Sequence, residues 1–417
     1  MRRPPRSRVS PLAAPLLWGL TLWAMGCAGD PGAGLSVDAG PDAPIGDAAL
    51  ADGSSDAGVT RARLGDPSLE RWETLQSHLH TTAEHGCAES PLAPPGPCYA
   101  AAGILELLQA ALEHGAGDML ISDHNNIEAW FDPSFAPLPS ADGSRFATPL
   151  RGTEWSSLGG HLTLLFPTQV VETNDLAIIE GWIWADGNDT AVALEQEYAR
   201  VIERVHGLSG IAIVSHPALA PHPFPEQTFE ADAVEVGVPP IPIDDLSGGA
   251  LAGSQSPREA LAFWQRRLMA ADRLTAMAGA DHHPTSASTG LEAPIFGVFE
   301  NHIRHDSALP DVTDPVEALL DPQRTIDLRS ARIVEAIRGG HVMVLQDPGA
   351  AKVYLGVDLD GDGGFRDARA GDCVTPERFA GELLRVRIRI AEPRDPGAGS
   401  GHYNLLVWTQ ASEASEA

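Results

Sequence analysis

Apolar and polar positions follow one another in a recurring order along much of this chain. A helical face is followed by a glycine break, a short apolar run, and a polar side chain at its end. Ile104, Leu105, Leu107, Leu108, Ala111 and Leu112 recur at helical spacing and stop at Gly115–Gly117, after which MLIS predicts a strand ending on Asp123-His124. Leu194, Tyr198, Val201, Ile202 and Val205 predict a second helix, broken by Gly207 and Gly210, and IAIVS then runs into His216-Pro217. Ser256-Pro257 with Glu259 reads as a capping-box start for a helix carrying Leu261, Trp264 and Leu268, and TAMAGA after it leads into Asp281. Ile333, Val334 and Ile337 predict a last helix before Gly339 and the strand HVMVLQ.

Polar residues at the carboxyl ends of strands are how a parallel α/β barrel or sheet presents an active site. Residues 66–348 are therefore expected to form such a body. Residues 349–417 differ: VYLGV, then Leu384, Val386, Ile388 and Ile390 alternating with arginines, then YNLLVW, predict a small antiparallel β appendage.

The fifteen histidines are unevenly placed. His78-Leu79-His80, His124, Glu154 with His161, His216, and Asp281-His282-His283 all stand at strand ends or turns. Neutral imidazoles with carboxylates suit Zn²⁺, Mn²⁺ or Fe²⁺. Strand alternation puts His78 and His80 on one side, pairs Asp281 with His283, and turns His282 away. Glu154 has two oxygens and can bridge two ions, which a single imidazole cannot.

These stretches resemble the polymerase-and-histidinol-phosphatase (PHP) family of metallohydrolases. HLHT with His85-Gly86, GAGDMLISDHNN, RGTEWSSLGGHLTLLF, GIAIVSHPA and AGADHHP occur in that family's order, between about residues 75 and 345. The resemblance implies a distorted (β/α)7 barrel with two or three metal ions at its mouth, closest to an exported, carbaryl-hydrolase-like branch with a β-rich tail. It implies a first ion on His78, His80, Glu154 and Asp281, a second sharing Glu154 with His161 and His216, and a third on His85, His124 and His283. Many relatives carry Asp where His85 stands; without His85 the site is binuclear. Asp123 reads as a supporting partner or proton acceptor. Asn125 and Asn126 either contact substrate or shape the turn, and Arg151 is the one basic residue within a motif that could meet a phosphate.

Paired cations lower the pKa of a bridging water and stabilise charge on the scissile group. The expected activity is hydrolysis of a phosphoester or a related ester or carbamate bond in a small molecule, with Glu154 and Asp123 as the residues nearest the chemistry. The alternative is a non-catalytic, metal-binding PHP-like module on the cell envelope; a third reading, polysaccharide binding through the β tail, rests on its strands alone. No Gly-rich nucleotide loop, Gly-x-Ser-x-Gly elbow or Cys-x-x-Cys competes with the metal reading.

Composition adds location and excludes partners. Net charge is −29, from 28 basic and 57 acidic residues, which argues against nucleic acid or an anionic membrane surface as partner. Arg2, Arg3, Arg6 and Arg8 precede the apolar run from Leu12 to Met25, which reads as an export leader over residues 1–27. Gly26 before Cys27 resembles a bacterial lipoprotein processing site, so Cys27 is expected to carry a lipid anchor as the protein's membrane attachment, periplasmic or at the cell surface. Ordinary signal cleavage nearby is the other reading. Residues 28–65, opening AGDPGAGLSVDAGPDAP, read as a flexible tether. Cys87 and Cys98 flank a turn-rich loop and are expected either to pair in an oxidising compartment or to be surface thiols. Asp358, Asp360 and Asp362 have the oxygen spacing of a calcium loop, but Arg369 stands at its twelfth position where an EF-hand has Glu. An exposed turn is the first reading there and a weak Ca²⁺ site the second.

Overall fold

The strands form where short aliphatic runs lie between glycine or turn breaks, in a computed structural model that describes residues 19–21, 72–81, 103–125, 127–157, 159–169, 191–219, 224–237, 257–270, 272–279, 281, 299–304, 312–345, 353–358, 368–369, 385–390 and 404–406. In chain order these hold β1 (Gly19–Thr21), β2 (Trp72–Leu79), α1 (Ile104–His114), β3 (Asp118–Ile121), a 3-10 turn (Glu128–Phe131), β4 (Leu138–Pro139), β5 (Phe146–Ser157) and β6 (Gly160–Leu165). There follow α2 (Ala191–Gly207), β7 (Ile211–Ser215), β8 (Ala233–Gly237), α3 (Pro257–Met269), β9 (Thr275–Ala278), β10 (Glu300–Arg304), α4 (Pro315–Leu320), α5 (Pro322–Gly339) and β11 (Val342–Leu345). Four strands complete the described chain: β12 (Val353–Asp358), β13 (Ala368–Arg369), β14 (Arg385–Ile390) and β15 (Asn404–Leu406). Among the described residues no helix is long and apolar enough to cross a membrane.

Nine strands run in the order β11-β10-β2-β3-β5-β6-β7-β8-β9, with β4 paired to β5, and make a nearly closed, barrel-like sheet in a mixed α/β fold. The expected parallel arrangement holds for only part of the sheet. β2-β3-β5 and β7-β8-β9 are parallel, but β6 is antiparallel to both β5 and β7, and β10 is antiparallel to β2 and β11. The cause at β6 is local: only two residues separate Ser157 from Gly160, too few for a parallel crossover.

Alternation along each strand divides the core in two. Leu75, Leu120, Leu150, Leu165, Ile211, Ile213, Ala233, Met277 and Ile303 face inward and meet Ile333, Val334 and Ile337 of α5. That helix seals the barrel end at which the parallel strands begin: its Arg329 pairs with buried Asp118, and Thr275 Oγ1 donates to Ile337 O at 2.6 Å. The opposite strand faces pack on Leu107, Leu108 and Ala111 of α1, Val201, Ile202 and Val205 of α2, and Phe263 of α3. Each such buried aliphatic side chain contributes about 1.5–3 kcal/mol. Leu105, read as part of the apolar face of α1, is exposed because it falls outside the 104-107-108-111 stripe.

The seam between β9 and β2 is bridged by side chains. Asn301 on β10 takes the Ala278 N–H at 2.7 Å and donates to Ala278 O at 2.9 Å and Leu75 O at 3.2 Å, while Ser77 Oγ donates to Ala278 O. Beyond residue 349, β12, β13 and β14 form an antiparallel sheet, as alternation predicts. β15 departs from that expectation: it pairs parallel with β1, within the leader-like segment, in a separate two-stranded sheet.

Candidate metal centre

Four strand ends, one strand and the residue beyond Ile121-Ser122-Asp123 bring seven ligand-type side chains together. His78 and His80 come from the end of β2, His124 from beyond β3, Glu154 from β5, His161 from β6, His216 from beyond β7, and Asp281 from beyond β9. Ligand atoms of His78, His80, Glu154 and Asp281 lie within 4.8 Å of one another, and so do those of His124, Glu154 and His161. Asp281 is the most open of these, its side chain 15% exposed, whereas His78, His80 and Glu154 are fully buried.

Glu154 is the centre. Its Oε2 lies 3.1 Å from His78 Nε2, 3.4 Å from His80 Nε2 and 2.9 Å from His124 Nδ1. Its Oε1 lies 2.8 Å from His161 Nδ1 and 3.0 Å from His216 Nε2. His124 thus reaches Glu154 on the Oε2 side, and its ligand atom also lies within 4.8 Å of those of Glu154 and His161. His85, His283 and His282 lie outside the described residues, as do Asn126, Cys27, Cys87, Cys98, Asp360 and Asp362.

Backbone shape explains how these side chains converge. Leu75 and Ser77 face the barrel interior, so regular alternation would turn His78 outward. Instead His78 has φ 63° and the β2–β3 register slips between Gln76 and Leu79, which brings both His78 and His80 to the cluster. The bulge, and not simple two-residue alternation, brings the two histidines to one side. His216 repeats the device: it follows inward-facing Ser215 and turns back with φ 26°. Asp281 has φ 42°. Such backbone costs about 1–3 kcal/mol per residue and persists where surrounding contacts hold it.

The electrostatics follow from burial. The Glu154 carboxyl is penalised by burial, yet His124, His78 and His161 hold its pKa well below the usual carboxylate range. Burial also opposes a charge on His78, but Glu154, Glu235 and Asp281 outweigh it and raise the imidazole well above its ordinary value. His216 is raised in the same way against burial, chiefly by Glu154 and Asp281. His161 goes the other way: burial dominates and lowers it to about 4.

The residues fit a divalent cation. His78 Nε2, Glu154 Oε2 and His216 Nδ1 are buried atoms without a hydrogen-bond partner, and a nitrogen-rich set with carboxylates suits Zn²⁺, Mn²⁺ or Fe²⁺.

Three residues singled out from the sequence have other partners. Asp123 accepts from the Thr81 backbone N–H at 2.5 Å and from Thr81 Oγ1 at 2.8 Å, anchoring the chain just after His80. Asn125 shapes the turn: it has φ 51° and its Oδ1 takes the Ser156 N–H at 2.9 Å. Arg151 is not brought to the cluster. It has opposite parity to Glu154 on β5, and its guanidinium donates to Asp327 at 2.5 Å and Gln323 at 2.7 Å on α5. The sequence reading passed over Glu235 on β8, which is fully buried and 2.9 Å from His78 Nδ1. Its signal was a carboxylate between valines in the apolar run AVEVG.

No protein-family profile and no curated protein matches this chain. Among solved structures, it is similar to a two-domain protein from Bacteroides vulgatus containing a predicted PHP-like metal-dependent phosphoesterase, at 11% identity and TM-score 0.38, over 78% of this chain and 88% of that one. A lesion-specific endonuclease from Pyrococcus furiosus is similar at 14% identity and TM-score 0.33, over 78% of this chain and 74% of that one. An amidohydrolase from Chromobacterium violaceum, solved with sulfate and no metal, is similar at 12% identity and TM-score 0.28, over 50% of this chain and 87% of that one.

Proposed function

We propose that this chain is a metal-dependent hydrolase that cleaves a phosphoester, or a related ester or carbamate bond, in a small molecule. The observation that carries this reading is the division of Glu154, with His78, His80 and His124 about Oε2 and His161 and His216 about Oε1. A carboxylate shared in this way suits neighbouring cations, two or three of Zn²⁺, Mn²⁺ or Fe²⁺, each with its own imidazoles. When bound, such ions supply a water that ionises near neutral pH and polarise the scissile bond. His78, His80 and Asp281 hold one side of Glu154, and His161 and His216 the other. Burial of these histidines and of Glu154 strengthens each electrostatic contact. Asp123 supports His80 through Thr81 rather than through a ligand bond.

The reading extends to the exported, carbaryl-hydrolase-like branch and to a lipid anchor at Cys27. The arginine-led apolar segment before Gly26-Cys27 supports this, and the mass of the mature N-terminus tests it.

The activity is tested on p-nitrophenyl phosphate and p-nitrophenyl acetate with the purified chain and added Mn²⁺ or Zn²⁺. Turnover that chelation abolishes and metal restores is expected. The absence of metal-dependent turnover on both substrates would contradict hydrolysis.

A further inference from the structure

Glu235 ties together two of the strained ligands, and its role rests on the metal reading above. Its Oε1 lies 2.9 Å from Nδ1 of His78, and its Oε2 accepts the backbone N–H of His216 at 2.9 Å. These are two of the residues with positive φ, 63° and 26°. The space for the carboxylate comes from Gly279: a Cβ there would lie 2.2 Å from Glu235 Oε1. Strands β2, β7 and β9 thus converge on one carboxylate carried by β8.

We propose that Glu235 is a positioning residue that fixes the Nδ1–H tautomer of His78 and the turned backbone of His216, so that both sides of the Glu154 cluster are set by a single group. A neutral imidazole has one N–H. With that proton on Nδ1 and directed at Glu235, the lone pair lies on Nε2, which is buried 3.1 Å from Glu154 Oε2 and 3.5 Å from Asp281 Oδ1. A carboxylate can accept from both His78 and His216. An amide cannot, because one of its two ends is a donor. Turned one way, Gln at 235 would face its N–H₂ to His78 Nδ1 and force the ring proton onto Nε2, where the metal lone pair is needed. Turned the other way, it would oppose the His216 N–H and leave a buried donor unpaired in a strained turn.

The test compares the purified full-length chain with Glu235→Gln, Glu235→Asp and Gly279→Ala. Zn²⁺ affinity is measured by chelator competition at neutral pH, and the His78 tautomer by ring ¹⁵N NMR of the metal-free proteins, at a pH high enough for the ring to be neutral. Glu235→Gln is expected to weaken Zn²⁺ binding by about 10–100-fold, as is typical when the partner of a ligating histidine is lost. The His78 proton should move at least partly from Nδ1 to Nε2. Glu235→Asp, which keeps the charge, should retain the Nδ1–H form and recover part of the affinity. A folded Gln variant with wild-type affinity and tautomer would overturn the role. Should the Gln variant not fold, Gly279→Ala decides: it displaces the carboxylate without removing it, and unchanged affinity and tautomer there overturn the role equally. Wild type that takes up no Zn²⁺ would instead remove the metal reading, and the inference with it.

Discussion

Oε1 of Glu154 lies 2.8 Å from Nδ1 of His161, a diagonal contact across the β5–β6 hairpin. Glu154 opposes Thr163 and His161 opposes Ser156, so the two side chains share a face two residues apart. One tight hairpin therefore supplies both the shared carboxylate and one imidazole. This gives the cluster a local element whose geometry does not depend on closing the barrel.

Proton release on metal binding should distinguish the histidines. In the metal-free protein His161, lowered to about 4, is already neutral near pH 7. His78 and His216 are raised above the ordinary imidazole value by the neighbouring carboxylates, against the penalty of burial. A ligand must be neutral, so binding should displace more proton from His78 and His216 than from His161. Affinity is accordingly expected to rise with pH through neutrality. Calorimetry in buffers of different ionisation enthalpy measures the release; zero protons at pH 7 would contradict this electrostatic picture.

Arg329 should matter for stability and not for metal. Its guanidinium is buried, reaches Asp118 at 2.9 Å and Glu73 at 3.1 Å, and lies at the end of the barrel that α5 seals. Arg329→Met leaves a buried aspartate without its cation, an arrangement that costs about 3–5 kcal/mol. Urea unfolding should register that loss while metal stoichiometry in the folded protein stays the same.

Asn301 should matter for both. Asn301→Ala removes the acceptor of the Ala278 N–H and a donor to the Ala278 and Leu75 carbonyls; the Ala278 carbonyl keeps Ser77 Oγ, and the unpaired buried N–H costs about 1–3 kcal/mol. β2 carries His78 and β9 leads into Asp281, so metal affinity should fall along with the unfolding midpoint. A variant with lowered stability and unchanged affinity would show that the seam does not set the spacing of these ligands.

The sequence made the cluster legible because ligand-type residues stood in the same place after successive apolar runs: His124 after MLIS, His216 after IAIVS, Asp281 after TAMAGA. A helix-strand pattern carries that information in any alignment of strands. It carries no direction, and so it did not show that β6 and β10 run antiparallel to their neighbours. Alternation served well where strands are regular. It would have excluded Arg151, which differs in parity from Glu154, and it failed at His78, where a bulge resets the register. Glu235 and Asn301 were passed over for a different reason. Neither stands at a strand end, and their importance comes from neighbours far along the chain, His78 and Leu75 respectively.

Metal content of the wild type set against Glu154→Gln tests the central claim most directly. Gln keeps the shape and one carbonyl oxygen but removes the charge that faces both groups of imidazoles. Wild type purified without chelator, or reloaded afterwards, should carry at least two equivalents of Zn, Mn or Fe by elemental analysis. The Gln variant should lose affinity by more than the roughly 10–100-fold typical of residues that only support a ligand. A wild type holding less than one equivalent after reloading, or a Glu154→Gln variant with full occupancy, would contradict a metal centre built around Glu154.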